Sequence, residues 1–314
     1  MYAAQTGQTA RAMIIAGRAH RRLGAQLADA CLIAAHGAAI SQFADGETRV
    51  HIAEHLRGQT VFLIQSLHAP VNDHLLELAL LADAARAAGA ARVVAVTPYL
   101  AYARQDQRAA PGDPRSSQVV ARLFEAVGID ELITVDLHTT ALESAYRLPM
   151  TIIPAIDVFR PQLPTFPAGK LCVVSPDAGG LKRAQQFAAA LTSPVALMTK
   201  SRRGPDQPVL EMLLGDVRGQ HCLIVDDMAS TGRTLLAAAD ALGRAGAAAI
   251  DAIITHAVFA PGARERLEHS PIGRLITSDT IPLGEDLDSR IEVHSICAPL
   301  ARLLAERLTD APRG

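Results

Sequence analysis

The sequence predicts an α/β protein of two tandem domains, each a mainly parallel sheet flanked by helices. Three observations carry this. Short apolar runs such as Val61-Phe-Leu-Ile64, Val93-Val-Ala-Val96 and Cys222-Leu-Ile-Val225 alternate with helical patterns, as βαβ units do. Prolines cluster at Pro149, Pro154, Pro161, Pro164 and Pro167, and beyond them the alternation starts again. One stretch is also repeated. Val61 to Ile64, a helix ending Ala87-Ala-Gly-Ala-Ala91 and the run from Val93 reappear as Cys222 to Val225, a helix ending Arg244-Ala-Gly-Ala-Ala248 and the run from Ile250. Asp83 and Asp240 hold matching places in the two copies, before Gly89 and Gly246.

Taken in order, the polar start Met1 to Thr9 reads as a frayed leader. Ala12 to Ala16 is a strand, and Arg21 to Ala34 a helix with Leu23, Leu27 and Leu32 on one face. Asp45-Gly46 marks a turn before a half-buried strand, Arg49 to Ala53. Val61 to Gln65 is a buried strand, Asn72 to Ala87 an amphipathic helix, and Arg92 to Thr97 a strand stopped by Pro98. Ala109 to Arg115 is a loop, and Ser116 or Ser117 caps a helix to Ala126. Glu131 to Asp136 is a strand. In the second part, strands at Leu171 to Ser175, Val195 to Met198, Cys222 to Val225 and Ala252 to Val258 alternate with helices at Lys182 to Leu191 and after Thr234. Lys200 to Gln207 reads as a basic, proline-bearing loop. Weaker strands at Arg274 to Thr277 and Ile291 to His294 precede a closing helix from Pro299 to Leu308. The predicted domains are 10–155 and 156–295, with 296–314 packed back on the first.

Composition narrows the function. In 314 residues, a formal charge of -2 gives no global attraction to nucleic acid, and 4% aromatics with no Trp disfavours base-stacking platforms. Cys31, Cys172, Cys222 and Cys297 form no C-x-x-C pair, which argues against zinc and a disulfide framework. With no long uncharged apolar span, the reading is a cytoplasmic protein without membrane or nucleic-acid partners.

Cys222 to Leu242 carries the chemistry. The apolar strand delivers two adjacent acids, Asp226 and Asp227. A hydroxyl-rich turn follows, Ser230-Thr231-Gly232-Arg233-Thr234, and then a helix. Strand, polar loop and helix point backbone N–H groups and a helix N-terminus at an anion. A phosphate fits on Thr231 to Thr234, and the acids can hold a sugar's hydroxyls, directly or through a metal. The first copy has Gln65-Ser66 at the matching place and lacks the loop.

The run from Val225 to Thr234 resembles the phosphoribosyl-pyrophosphate (PRPP) loop. Further stretches extend the resemblance over nearly the whole chain: Phe43-Ala-Asp-Gly-Glu47, Tyr102-Ala-Arg-Gln-Asp106, Asp136-Leu-His138, Ser175-Pro-Asp177-Ala-Gly-Gly180 and Lys200-Ser-Arg202. In this order they resemble the ribose-phosphate pyrophosphokinases, or PRPP synthetases. The resemblance implies two type I phosphoribosyltransferase-like domains and transfer of the diphosphoryl group of Mg-ATP to ribose 5-phosphate. It implies ATP contacts from Phe43, Asp45, Glu47, Arg104, Gln105, Asp106 and His138, the first three donated across the interface of a homo-oligomer. Asp177, Asp226, Asp227, Ser230, Thr231, Gly232, Arg233 and Thr234 would take ribose 5-phosphate, His138 and Asp177 would serve Mg2+, and Lys200 and Arg202 would be catalytic. Ser230 stands where the usual loop has an acid and Arg233 where it has glycine. The Ser-Thr-Gly form and the Pro111-Gly-Asp113 insert look more like the archaeal-type branch. Two rival readings are a phosphoribosyltransferase that consumes PRPP and a non-catalytic regulatory subunit.

Overall fold

The computed structural model describes residues 12–108, 110–166, 169–202, 208–284 and 286–309. The leader therefore lies outside the described residues. The first half contains β1 (Ala12–Ala16), α1 (Arg21–Cys31), β2 (Ala34–His36), β3 (Ala39–Gln42), β4 (Thr48–His51), β5 (Thr60–Ile64), α2 (Val71–Ala87), β6 (Arg92–Val96), α3 (Ser116–Ala126), β7 (Glu131–Val135) and β8 (Met150–Ile153). The second contains α4 (Ala155–Phe159), β9 (Leu171–Ser175), α5 (Leu181–Leu191), β10 (Val195–Arg202), β11 (Pro208–Leu214), β12 (His221–Met228), α6 (Arg233–Arg244), β13 (Ala249–His256), α7 (Ala263–Glu268), β14 (Leu275–Ser278) and β15 (Ile291–His294), and α8 (Cys297–Thr309) closes the chain.

Among the described residues, two sheets share one plan. The first has the order β2-β1-β5-β6-β7-β8, and the second β11-β10-β9-β12-β13-β14-β15. β5 lies parallel between β1 and β6, as β12 lies parallel between β9 and β13. Strands buried on both faces read as continuous apolar runs, which is why these were visible in the sequence. The repeat extends to single hydrogen bonds. The Gln59 side chain donates to the His55 carbonyl at 3.2 Å, and that of Gln220 to the Asp216 carbonyl at 3.2 Å. Ala91 N–H donates to Gln59 at 2.9 Å, and Ala248 N–H to Gln220 at 2.8 Å. Gly89 and Gly246, at φ 95° and 89°, end the two helices in the left-handed region that glycine tolerates.

The compact units are Met1–Thr134 with Ala141–Ile152 and Cys297–Gly314, and Val135–Thr140 with Ile153–Ile296. In the first, α8 packs on α1, and Arg307 reaches buried Glu131 at 2.8 Å. In the second, Leu235, Ala238, Ala239 and Leu242 of α6 pack over Cys222 and Ile224 of β12.

Several elements differ from expectation. Lys200 to Arg202 are not loop. They continue β10 and pair antiparallel with β11, across a register shift between Thr199 and Lys200. The rest of the expected loop, 203–207, lies outside the described residues. Ser116 and Ser117 sit inside α3 and make no cap. Their hydroxyls bond Gln105 instead, Ser116 at the side-chain oxygen and Ser117 at the carbonyl. α2 buries His74 and Glu77 as well as its apolar face, so it is less cleanly amphipathic than its spacing predicts.

Candidate functional site

In a doubly wound sheet, the crevice for a ligand opens beyond the carboxyl ends of the strands where the strand order reverses. In the second sheet that place lies between β9 and β12. Asp177 follows β9, and Asp226 and Asp227 lie near the carboxyl end of strand β12, which runs on to Met228. Both acids are buried, at 8% and 3% exposure. Asp227 N–H donates to an Asp226 carboxylate oxygen at 2.9 Å, and His138 Nδ1 meets Asp227 Oδ2 at 2.8 Å.

The two carboxyls are driven apart in acidity. Burial, Asp227 and then Asp177 raise Asp226 well above the ordinary carboxylate range, with Arg183 opposing. Burial would raise Asp227 too, but the His138 hydrogen bond and the Arg183 charge outweigh it and hold Asp227 below the ordinary range. Like charges this close cannot both ionise freely. The surroundings thus favour the ionised form of Asp227 and disfavour that of Asp226.

Beneath them lies a support that the sequence did not disclose. Asp136, at φ 39°, is gripped by Arg183 of α5 through Nε at 2.8 Å and Nη2 at 3.1 Å, and by the Thr255 hydroxyl at 2.7 Å. Arg183 Nη2 also donates to the Leu137 carbonyl at 3.1 Å. His256 Nε2 lies 3.0 Å from the Asp136 carbonyl, which can only accept, so Nε2 carries the proton. Burial lowers the His256 pKa and keeps the ring neutral. These donors fix residues 136–137, and with them the start of the turn that carries His138. An arginine on an amphipathic helix ordinarily reads as solvated, and only the topology brings Arg183 to Asp136.

After Met228 the chain turns through Ser230 and Thr231 to Gly232, at φ 75°, where α6 begins with Arg233 and Thr234. A Cβ on Gly232 would need the left-handed region and would sit 3.4 Å from Leu267. The N-terminus of α6 thus opens beside the acid pair. At the end of β9, the Asp177 carboxylate accepts Gly180 N–H at 3.1 Å.

The structure therefore gathers His138, Asp177, Asp226, Asp227 and the 230–234 turn beyond the carboxyl ends of β9 and β12, inside the second sheet. The remaining candidates stand on other elements. Phe43, Asp45 and Glu47 form the tip of the β3–β4 hairpin, outside the six-stranded sheet; Phe43 N–H donates to the Glu47 carbonyl at 2.8 Å, and Phe43 is 51% exposed. Arg104, Gln105 and Asp106 follow β6 in a turn bent at Tyr102, φ 61°. Lys200 and Arg202 lie on β10. Among the described residues, no three His, Cys, Asp or Glu side chains converge to hold a metal ion, and no helix is long and apolar enough to cross a membrane.

Comparisons with known proteins agree across the chain. Residues 12–128 match the family described as the N-terminal domain of ribose phosphate pyrophosphokinase, and 162–290 match the phosphoribosyl transferase domain. A ribose-phosphate pyrophosphokinase of Nitrosomonas europaea is 37% identical over 94% of this chain and 93% of its own length. One from Vibrio parahaemolyticus is 38% identical over 94% of both chains. The crystal structure of phosphoribosylpyrophosphate synthetase from Mycobacterium smegmatis superposes with a TM-score of 0.86 at 31% identity, covering 96% of this chain and 99% of that one.

Proposed function

Because this chain belongs to the ribose-phosphate pyrophosphokinase family, we propose that it transfers the β,γ-diphosphoryl group of ATP to the 1-hydroxyl of ribose 5-phosphate. The hydroxyl oxygen bonds to the β-phosphorus, the bond from that phosphorus to the α-phosphate oxygen breaks, and the hydroxyl proton is released. The products are PRPP and AMP. The observation that carries this reading is a buried acid pair beside a helix N-terminus, in a chain whose relatives match both halves. The rival reading as a phosphoribosyltransferase leaves the first half without a purpose.

In this proposal, Ser230 to Thr234 take the 5-phosphate through backbone N–H groups and hydroxyls. Asp227, whose ionised form His138 and Arg183 favour, accepts a hydrogen bond from a sugar hydroxyl, and Asp226 accepts from another when ionised or donates to it when protonated. Arg104, Gln105 and Asp106 hold ATP. Phe43, Asp45 and Glu47 complete the nucleotide site of a neighbouring copy, which makes the active form a homo-oligomer. Lys200 and Arg202 bring positive charge to the β-phosphoryl as negative charge builds there.

The residues present suit Mg2+ in the way this ion is usually held. Asp177 is near enough to raise Asp226, a crowding of carboxylates that a dication relieves. Mg2+ characteristically takes few protein ligands and fills its shell with phosphate oxygens and water. Asp177 would bind it, and His138 would act through a water or phosphate. When bound with ATP, the ion would neutralise charge on the phosphate oxygens.

We also assign the ATP motifs to a domain of 10–155 and the ribose-phosphate loop to 156–295, with 296–314 closing on the first. We also read the Ser-Thr-Gly form of the loop as a likeness to the archaeal-type branch. A cytoplasmic location, where thiols stay reduced, suits the four free cysteines.

Purified protein should release AMP from Mg-ATP only when ribose 5-phosphate is present. Release of ADP, or no turnover from folded protein, overturns the reading.

A further inference from the structure

The turn that begins α6 is held from behind. Its carbonyls accept hydrogen bonds one after another. Ala229 accepts from Phe259 N–H at 3.0 Å, and Ser230 from Ala260 N–H at 3.0 Å. Thr231 accepts from Arg266 Nε at 3.0 Å. The first two donors are backbone; the third is a side chain on α7. In a planar trans peptide, the carbonyl and the next residue's N–H point to opposite edges. Drawing these carbonyls toward 259–266 therefore turns the N–H groups of Ser230, Thr231 and Gly232 the other way.

The supporting segment is shaped for this. Phe259 holds φ 42°, a conformation costly for a non-glycine residue, while its N–H reaches Ala229. Gly262 holds φ 74°, and a Cβ there would lie 3.0 Å from Arg266 Nη1. The other end of the guanidinium donates to the Pro261 carbonyl at 3.4 Å. Arg266 is thus anchored at Pro261 and aimed at Thr231. Its bond carries a full charge, which makes it stronger than a neutral one. It also polarises the 231–232 peptide, so Gly232 N–H becomes a better donor to an anion.

We propose that Arg266 is a positioning residue that holds the 230–232 peptides in the anion-binding orientation and strengthens binding of the sugar's phosphate without touching it. This rests on the reading of Ser230 to Thr234 as the phosphate cradle.

Two measurements test it on the full chain. Arg266→Met keeps the aliphatic stem and removes the donors, whereas Arg266→Lys keeps a charged donor. Amide hydrogen exchange over 229–236, without any ligand, should accelerate about tenfold in Arg266→Met, matching loss of one charged hydrogen bond. By calorimetry, the Kd for ribose 5-phosphate should weaken about tenfold while that for Mg-ATP stays put. Arg266→Lys should recover part of both effects. Unchanged loop exchange, equal weakening of both ligands, or a loss of kcat with ribose 5-phosphate binding intact would overturn the proposal. If the Met variant does not fold, Arg266→Gln is read in the same ways. Wild-type protein that fails to bind ribose 5-phosphate would overturn the functional reading alone. The exchange arm needs no ligand and still decides the role of Arg266.

Discussion

The two halves place the same crevice at the same point of the same sheet plan and fill it differently. In the first half, β1 leads into Gly17 and Arg18, and β5 into Gln65 and Ser66. Gln65 is fully buried, and all its polar atoms are used. Its oxygen accepts Ala19 N–H at 3.1 Å, and its nitrogen donates to the His74 carbonyl at 3.3 Å and to Glu77 at 3.0 Å. Glu77, also fully buried, accepts Arg18 N–H at 2.6 Å and pairs with the Arg18 guanidinium. A Cβ on Gly17 would lie 2.4 Å from Gln65 Oε1 and 2.8 Å from Glu77 Oε1, so glycine is what lets this cluster close. The second half has Asp177 and the acid pair in these places, with electrostatic demand left over. The first cluster pairs its buried acid with a cation, whereas the second sets carboxylates beside one another, so that Asp227 and Asp177 both oppose ionisation of Asp226.

The sharpest test of that contrast is Glu77→Ala. It strands Arg18 and Gln65 and opens a hole, and should cost about 3 kcal/mol. For a unit of this size each kcal/mol moves Tm by about 2–4 °C. Calorimetry should show the loss, with the Kd for ribose 5-phosphate unchanged in the folded variant. A weakened ribose 5-phosphate Kd would mean that the first crevice serves the reaction, and the comparison would break.

A second difference lies at the sheet edges. Next to β1, the first sheet ends in the short exposed strand β2; next to β9, the second continues through β10 into β11. This added antiparallel pair carries Lys200 and Arg202. If it is the transition-state arm, Lys200→Ala should lower kcat by at least about 10²-fold, as loss of one oxyanion-type donor does. KM for both substrates should change much less, because the charge acts as the phosphoryl moves. Arg202→Ala should behave alike. Near-normal steady-state kcat in both variants would make the hairpin a bystander.

What could be read from the sequence follows burial. β5, β6, β12 and β13 are buried on both faces and show as apolar runs, and two adjacent acids inside such a run are hard to explain as core. β2 and β3 sit at an edge and in a hairpin, where little burial stamps a pattern on the residues. β8 and α4 fall inside the proline cluster, which masked them as linker. The candidate ligand-facing groups come from strand ends and turns with distinctive residues. Those that hold the loops, Arg183, Thr255, His256 and Arg266, are ordinary residues made special only by where the chain brings them.

The smallest expected effect concerns the proton on the acid pair. The folded pKa of Asp226 is raised, so the folded chain holds a proton that the unfolded chain gives up near pH 4. Its contribution to stability is therefore full below the ordinary carboxylate range and is lost as pH rises toward the folded value. Asp227 is lowered, so its contribution is present above the ordinary range and is lost as pH falls through its folded value. The two carboxyls pull stability in opposite directions. Asp226→Asn removes the unfavourable ionisation while keeping the shape. In the apo protein at pH 8 it should raise Tm by about 2–4 °C, against little change at pH 5. If Asp226 ionises to hold a sugar hydroxyl, the neutral amide should also weaken ribose 5-phosphate binding about tenfold, because a hydrogen bond to a charged acceptor is lost. Asp227→Asn should lower Tm at pH 8, because His138 and Arg183 lose their ionised partner. Calorimetric scans from pH 5 to 8 decide the matter. An Asp226→Asn shift that does not vary with pH would mean that the buried pair holds no proton, and that the second crevice is as settled as the first.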